Sequence, residues 1–417
     1  MVVIGSVAAA FICDRRTPLL PGTTSNGHHL VEQRCQSCHG AGFEGVKGER
    51  CSSCHTDIAT ENTHHPAMFE DPRWASTLEK LDAMSCTTCH EEHRVTGRGV
   101  SIEAGFCFRC HDDVPTRRAS HASFAPESCG TRGCHNYHDN RGLNVAYLKQ
   151  HIAEPDNLPS AALPSRPPKP TPASVEPDAP ANVSAPTALV AAWRASAHAS
   201  EKVGCMACHG KKDDGAFVQS PGTQGCTSCH QSESETFGAG KHGIRTALGL
   251  SPLEPKMARA KMAPHANGTM TCGTCHDPHG LDTQRAAVDA CLSCHADDHS
   301  VAYRSSPHAR TFATAANEGR PAATAVTCAT CHLPRTTIQD NGKPRVAVNH
   351  DNAFTMRPKE RMAKAVCSSC HGLAFSLNSL HDDALVRSNF ARRPEAEIQT
   401  ISMIRTLEQE KKKGVHE

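Results

Sequence analysis

The sequence predicts a mainly α chain with much irregular loop and little or no sheet, whose interior is filled by something other than side chains. Three observations predict it. Segments reading Cys-x-x-Cys-His recur ten times in 417 residues. Aromatics make up 4% and hydrophobics 38% of the chain, too thin for a conventional core at this length. Residues 35–135 hold five cysteine–histidine sites, one of them irregular, and sites that dense leave no room between them for an ordinary two-layer core.

The sites are numbered in chain order. Sites 1 to 4 are Cys35/Cys38/His39, Cys51/Cys54/His55, Cys86/Cys89/His90 and Cys107/Cys110/His111. Site 5 is the irregular Cys129/Cys134/His135, with four residues between its cysteines. Sites 6 to 8 are Cys205/Cys208/His209, Cys226/Cys229/His230 and Cys272/Cys275/His276. Sites 9 to 11 are Cys291/Cys294/His295, Cys328/Cys331/His332 and Cys367/Cys370/His371, which leaves only Cys13 outside a site.

The spacing has a chemical reason. Two thiols add to the two vinyl groups of one haem, and the histidine after the second cysteine is thereby set under the iron as its proximal ligand. Zinc knuckles and disulfide frameworks also use paired cysteines, but neither requires histidine after every second cysteine. The porphyrins are then the core, and the fold is that of a haem-packed, multihaem c-type chain. In site 5, Gly130 and Gly133 give a flexible loop able to bulge while both sulfurs reach their vinyls. The expected complement is eleven c-type haems, or ten if Cys129 and Cys134 do not carry one.

Haem also changes the charge. The side chains sum to +1, but each haem brings two propionates, so eleven oxidised haems shift the total by about −11. An acidic holoprotein argues against nucleic acid and against an anionic membrane surface as partners.

Attachment of this kind takes place outside the cytoplasm, so the expected location is periplasmic, or extracellular and outer-membrane-associated. Residues 1–25 read as a signal-like leader: MVVIGSVAAAFI resembles a late h-region, and Ala8-Ala9-Ala10 could end in a cleavage site. The basic n-region is missing and the run is too short to span a bilayer, which fits a truncated signal. Lipidation at Cys13 is the alternative, though Ile12 stands where a small residue is wanted. No other segment approaches transmembrane length.

Four further segments follow. Residues 26–153 form a pentahaem domain. Residues 154–190, with ten prolines and no cysteine, read as a semi-rigid linker. Residues 191–385 form a hexahaem domain. Residues 386–417 carry a terminal amphipathic helix, with Pro394 at its first turn and Ile398, Ile401, Ile404 and Leu407 as its stripe. That helix either packs on its own domain or contacts a second copy in an oligomer.

With eleven histidines proximal, 17 remain to close the sixth positions. One element recurs three times: Trp193-Arg-Ala-Ser-Ala-His198, Phe237-Gly-Ala-Gly-Lys-His242 and Tyr303-Arg-Ser-Ser-Pro-His308. His198 and His265 each stand seven residues ahead of a site. These four read as distal ligands. A second class follows the proximal histidine by three or four residues: His93, His138, His279 and His299. Such a residue lies on the proximal side of its own haem, so any iron it binds is a neighbour's; the alternative is a supporting hydrogen-bonding role. The remaining candidates are His28 or His29, His64 or His65, His121, His151, His350 and His381. Supply exceeds demand, which predicts bis-histidine, low-spin, low-potential haems. No methionine shows repeat spacing, and none is expected to be a ligand.

At these residues the sequence resembles the multihaem cytochrome c superfamily. CTTCHEEHRVTGRGVSIEAGFCFRCH (86–111) and CGTCHDPHGLDTQRAAVDACLSCH (272–295) look like its doubled-motif modules. The resemblance implies that His93 and His279 serve neighbouring haems. Longer cysteine spacing, as in site 5, also carries haem in the tetrahaem cytochromes of sulfate reducers. Residues 193–381 are loosely similar to the octahaem hydroxylamine oxidoreductase branch, through the aromatic-x-x-small-x-His element and YRSSPH ahead of CATCH. That branch contains catalysts and plain carriers. Its cross-linking tyrosine has no counterpart here, since Tyr137, Tyr147 and Tyr303 are the only tyrosines and Tyr303 belongs to a ligand element.

The expected function is electron relay through a chain of bis-histidine haems, with no catalytic residue assigned. Partners would be other cytochromes, a membrane quinol oxidase, a terminal reductase or an extracellular acceptor. Two other readings stand beside it: an oxidoreductase of small nitrogen or sulfur compounds with one open haem in the second half, and a filament-forming extracellular cytochrome.

Overall fold

In the computed structural model, residues 22–413 are described apart from internal stretches, the longest being 59–70, 94–104, 130–136, 165–174 and 318–324. The leader to residue 21, His64, His65, Cys134 and His135 lie outside the described residues.

The ten described attachment motifs fold as single helical turns. The histidine N–H bonds back to the carbonyl of the first cysteine at 2.8 Å in sites 1 and 11, 2.9 Å in sites 2, 3, 7 and 9, and 3.0 Å in sites 4 and 8. In sites 6 and 10 the motif is itself a short helix, Cys205–His209 and Cys328–His332. One turn is what the chemistry needs, because residues i, i+3 and i+4 share a face, so both sulfurs and the imidazole address the same porphyrin. Sites 8 and 10 begin with a capping box: Thr271 with Thr274, and Thr327 with Thr330, satisfy each other's first-turn N–H groups.

The chain divides into two compact units, residues 1–152 with 398–417, and residues 153–397. In the first unit, Leu30, Leu143, Leu148, Ile401 and Ile404 are buried. The Val145–His151 helix packs against the terminal Gln399–Lys413 helix, where Leu148, Ile401 and Ile404 are wholly inaccessible and Lys149 pairs with Glu408 at 3.5 Å. The amphipathic stripe thus packs as its spacing suggests, but in the first unit and from Gln399, not from Pro394. Residues 389–395 are held otherwise: Asn389 and Phe390 are left-handed, and Arg392 pairs with Asp382 at 3.0 Å and with Glu395 at 3.3 Å.

The second unit holds more side-chain core, including Leu373, Leu377, Leu380 and Leu385 on the Leu373–His381 and Asp383–Arg387 helices. The described ends of the proline-rich stretch belong to it. Leu158 N–H bonds Cys370 O at 2.8 Å and Ala162 N–H bonds Ser369 O at 3.2 Å, while Asp178 accepts from Met206 N–H at 3.1 Å. Extended proline-rich backbone has no internal hydrogen bonds, so its N–H groups can dock on the turn of site 11, while the Asp178 carboxylate reaches that of site 6.

Sheet is confined, among the described residues, to one antiparallel hairpin, Arg335–Asp340 with Lys343–Val348, in register from Arg335↔Val348 to Asp340↔Lys343. Its turn contains Gly342 at φ 76°. The hairpin returns the chain to Asn349, whose N–H bonds Pro334 O at 3.0 Å, and so delivers His350.

Candidate haem-ligand array

Among the described residues, nine pairs of histidine rings face one another. In the first unit they are His39 with His93 (centroids 6.4 Å apart), His55 with His28 (5.9 Å) and His90 with His138 (6.0 Å). In the second they are His209 with His279 and His230 with His198 (6.1 Å each), and His276 with His350 and His295 with His242 (6.2 Å each). His332 with His299 (6.1 Å) and His371 with His308 (6.3 Å) complete the set. Every pair joins one motif histidine to one outside a motif. Two imidazoles on opposite faces of one metal, each bonded at about 2 Å, place their ring centres roughly 6 Å apart. Spacing alone would also suit ring contacts; the narrow range and the one-to-one pairing are what fit axial ligation.

The hydrogen bonds select the tautomer. Nδ1 of His39 meets Glu44 O (3.2 Å), that of His209 meets Val218 O (2.7 Å), and that of His371 meets Asp156 O (3.0 Å). Among the opposing rings, Nδ1 of His93 meets Gly22 O (3.2 Å), that of His350 meets Val348 O (3.0 Å), and that of His299 meets Val386 O (2.5 Å). A carbonyl can only accept, so each Nδ1 carries the proton and Nε2 keeps its lone pair for a metal. Burial also drives the rings toward neutrality: His242, His308 and His332 are each lowered to about 4, chiefly by desolvation.

The recurring six-residue element has a mechanical explanation. Ser196 is the N-cap of Ala197–Ser200 and accepts from Ala199 N–H at 3.4 Å; Ser306 accepts from Ala309 N–H at 3.1 Å. The aromatic anchors the turn through its polar end, Trp193 Nε1 to Val203 O (3.1 Å) and Tyr303 OH to Val326 O (2.8 Å). At Gly240 a Cβ would lie 2.8 Å from Asn352 Oδ1, so the small residue there makes room for the neighbouring loop.

Residues 90–93 tie three sites together. His90 belongs to site 3. Glu92 bonds Nδ1 of His28, opposite site 2, at 2.7 Å and takes Ser25 N–H at 2.6 Å. His93, at φ 68°, faces the ring of site 1. Burial alone would raise the Glu92 carboxyl, but the Ser25 and His28 hydrogen bonds outweigh it and hold it below its usual range. His93, His279 and His299 each face the histidine of a motif other than their own, and His138 faces that of site 3.

The thiols of consecutive sites are also neighbours. Cys51 and Cys86, Cys226 and Cys272, and Cys291 and Cys328 lie within hydrogen-bonding reach, joining sites 2–3, 7–8 and 9–10. Cys38 lies near Cys54, Cys89 near Cys107, Cys107 near Cys129, Cys208 near Cys226, Cys275 near Cys291, and Cys331 near Cys367. Each unit therefore strings its sites in chain order. The described cysteines form no disulfide, and among the described residues no cluster of three or more His, Cys, Asp or Glu has the spacing of a metal-ion site.

The attachment residues are less enclosed than the motif density leads one to expect: Cys38, Cys54 and Cys229 are exposed, as are His55, His90, His111 and His230. The sequence marks Cys229 and Cys294, the second cysteines of sites 7 and 9, as thioether sulfurs, and His111 of site 4 as a proximal ring. Cys229 is instead exposed and Cys294 only half-buried. Each sulfur accepts from the hydroxyl of the serine before it, Ser228 to Cys229 and Ser293 to Cys294, both at 3.9 Å. His111 is also exposed. It ends the Phe108–His111 helix, and its N–H closes the turn on Cys107 O at 3.0 Å. The two sulfurs keep their places beside the preceding site: Cys229 lies near Cys208 of site 6, and Cys294 near Cys275 of site 8.

The other candidates are placed differently. All six motif histidines of the second unit face another partner, while His265 is exposed and His381 Nε2 lies 3.7 Å from Glu360. In the first unit, His29 Nδ1 meets Asn26 O at 3.0 Å, His121 N–H bonds Arg118 O at 2.8 Å, and the rings of His151 and Tyr147 lie 4.3 Å apart.

These features suit a protein that holds c-type haem by thioether links. The family model described as Cytochrome c3 matches residues 27–112 and 264–342, a match that fits a multihaem cytochrome c. No curated protein and no solved structure matches it. The octahaem hydroxylamine oxidoreductase resemblance of the second half is not among these matches. No described helix is long and apolar enough to cross a membrane.

Proposed function

We propose that the chain is an undecahaem electron-transfer protein that relays electrons between redox partners in the periplasm or at the cell surface. The nine facing histidine pairs carry this reading, since each offers a motif ring and a distant ring to one iron. Haem iron supplies the one-electron couple. The protein contributes rigid placement: the paired rings would hold each haem from both faces, and the exchange of ligands between sites would fix neighbouring haems against one another. Electrons would enter at one end of a unit, pass through adjacent sites in chain order, and leave to a partner.

Bis-histidine ligation saturates the iron, which favours a carrier over an enzyme. Intact-mass measurement tests the complement, with eleven haems expected. EPR of the oxidised protein tests the ligation: only low-spin signals are expected, and a stoichiometric high-spin haem at rest would overturn the carrier reading.

A further inference from the structure

Site 10 differs in what stands behind its distal ring. The Asp383–Arg387 helix ends in a Schellman cap, with Phe390 N–H to Leu385 O at 2.9 Å and Asn389 N–H to Val386 O at 3.0 Å. Asn389 takes the left-handed C′ position at φ 50°, and Phe390 follows at φ 57°. The cap fixes the Asn389 side chain, which is 7% exposed. Its amide reaches His299 O at 3.1 Å and, with its other hydrogen, His299 Nε2 at 3.3 Å. The Val386 carbonyl of the same cap receives Nδ1 of that ring at 2.5 Å.

The Nε2 lone pair can serve iron or the Asn389 amide, but not both. The ring thus has two satisfied states. Leaving the iron would ordinarily strand a buried acceptor, at the cost of its desolvation; here a fixed donor waits for it. Phe390 stands 6.2 Å from the His299 ring and 6.1 Å from the His308 ring, and lays an apolar wall beside the distal ring. Such a space suits an uncharged ligand.

We propose that site 10 accepts a small neutral π-accepting diatomic molecule on reduced iron, by passing Nε2 of His299 from the iron to the Asn389 amide. The bond between iron and Nε2 breaks and a bond from iron to the incoming molecule forms. No electron is transferred, and Nδ1 keeps its proton on Val386 O. This rests on the reading that His332 and His299 are an axial pair, and it adds a ligand-binding haem to the relay.

The test is carbon monoxide titration of the dithionite-reduced holoprotein, followed in the Soret region and by the infrared C–O stretch. One haem per chain is expected to respond. In H299A the same band should appear with tighter binding. N389G keeps the left-handed cap but lacks the amide, and should bind about threefold to tenfold more weakly. An absence of uptake, unchanged affinity in N389G, or a wild-type band persisting beside a second one in H299A would overturn the proposal. A resting high-spin haem would instead refute the axial-pair reading beneath it, so the two failures are distinguishable. Should H299A not fold, N389G still decides the matter.

Discussion

Glu92 gives the sharpest handle on how one site depends on its neighbour. Its carboxylate accepts from His28 Nδ1 at 2.7 Å and Ser25 N–H at 2.6 Å, and a carboxylate on Nδ1 makes Nε2 a stronger donor to iron, favouring the ferric form. Hydrogen bonds to charged groups are worth about 1.5–3 kcal/mol. The His28 and Glu92 side chains are 41% and 31% exposed, so solvent screening reduces this to about 1 kcal/mol. For a one-electron couple that is about 40 mV. E92Q should therefore raise the midpoint potential of site 2 by about 40 mV, read by spectroelectrochemical titration of the holoprotein, and leave the second unit's haems unmoved. The pH dependence has a definite sign. The folded carboxyl lies below its ordinary 4.5, so its stabilisation is complete above that value and is lost as pH falls through the folded one. An acid-unfolding transition in E92Q with the wild-type midpoint, together with unchanged potentials, would refute the reasoning.

Three further outcomes are expected. H350A should produce one high-spin haem in EPR, because His350 is the ring opposite His276, whereas H265A, at an exposed position, should leave the low-spin spectrum intact. I401A removes a fully buried side chain from the first unit and should cost about 2–5 kcal/mol, visible as a lower Tm of that unit in calorimetry. The double substitution of Cys129 and Cys134 by alanine should lower the intact mass by one haem; an unchanged mass would remove site 5 from the array.

The attachment sites are legible because their geometry is local: one helical turn, closed by a bond such as His276 N–H to Cys272 O, places three residues together. How far each is covered is not local, and so the motif alone does not show that Cys229 and His111 are exposed. The expectation of little or no sheet leaves the hairpin unidentified, although Asn341-Gly342 between Thr-Thr-Ile and Arg-Val-Ala-Val is the local signal for one. Ligand partnership is again not local. Nothing in the sequence says that His350 belongs with His276, since the hairpin and the bond from His350 N–H to Thr236 Oγ1 at 3.0 Å set that position. His198 and His265 share the seven-residue offset ahead of a site, but only His198 faces a motif ring, that of site 7; the corresponding ring for His265, His295 of site 9, faces His242. The terminal stripe likewise shows which face is buried, but only the apolar surface of Leu148 decides where.

The two units share a device that the sequence shows only once the pairs are known. His28 stands seven residues before site 1 and faces site 2; His198 stands seven before site 6 and faces site 7. His93 follows the site 3 histidine by three residues and faces site 1; His279 follows that of site 8 by three and faces site 6. Sites 1–3 and 6–8 are thus the same three-site lock, used twice. In each, the first site needs a ring from beside the third, and the second needs a ring from before the first. The third site looks outside its trio, to His138 or His350. Rings shared between sites in this way would hold neighbouring haems at fixed separation, the property a relay needs.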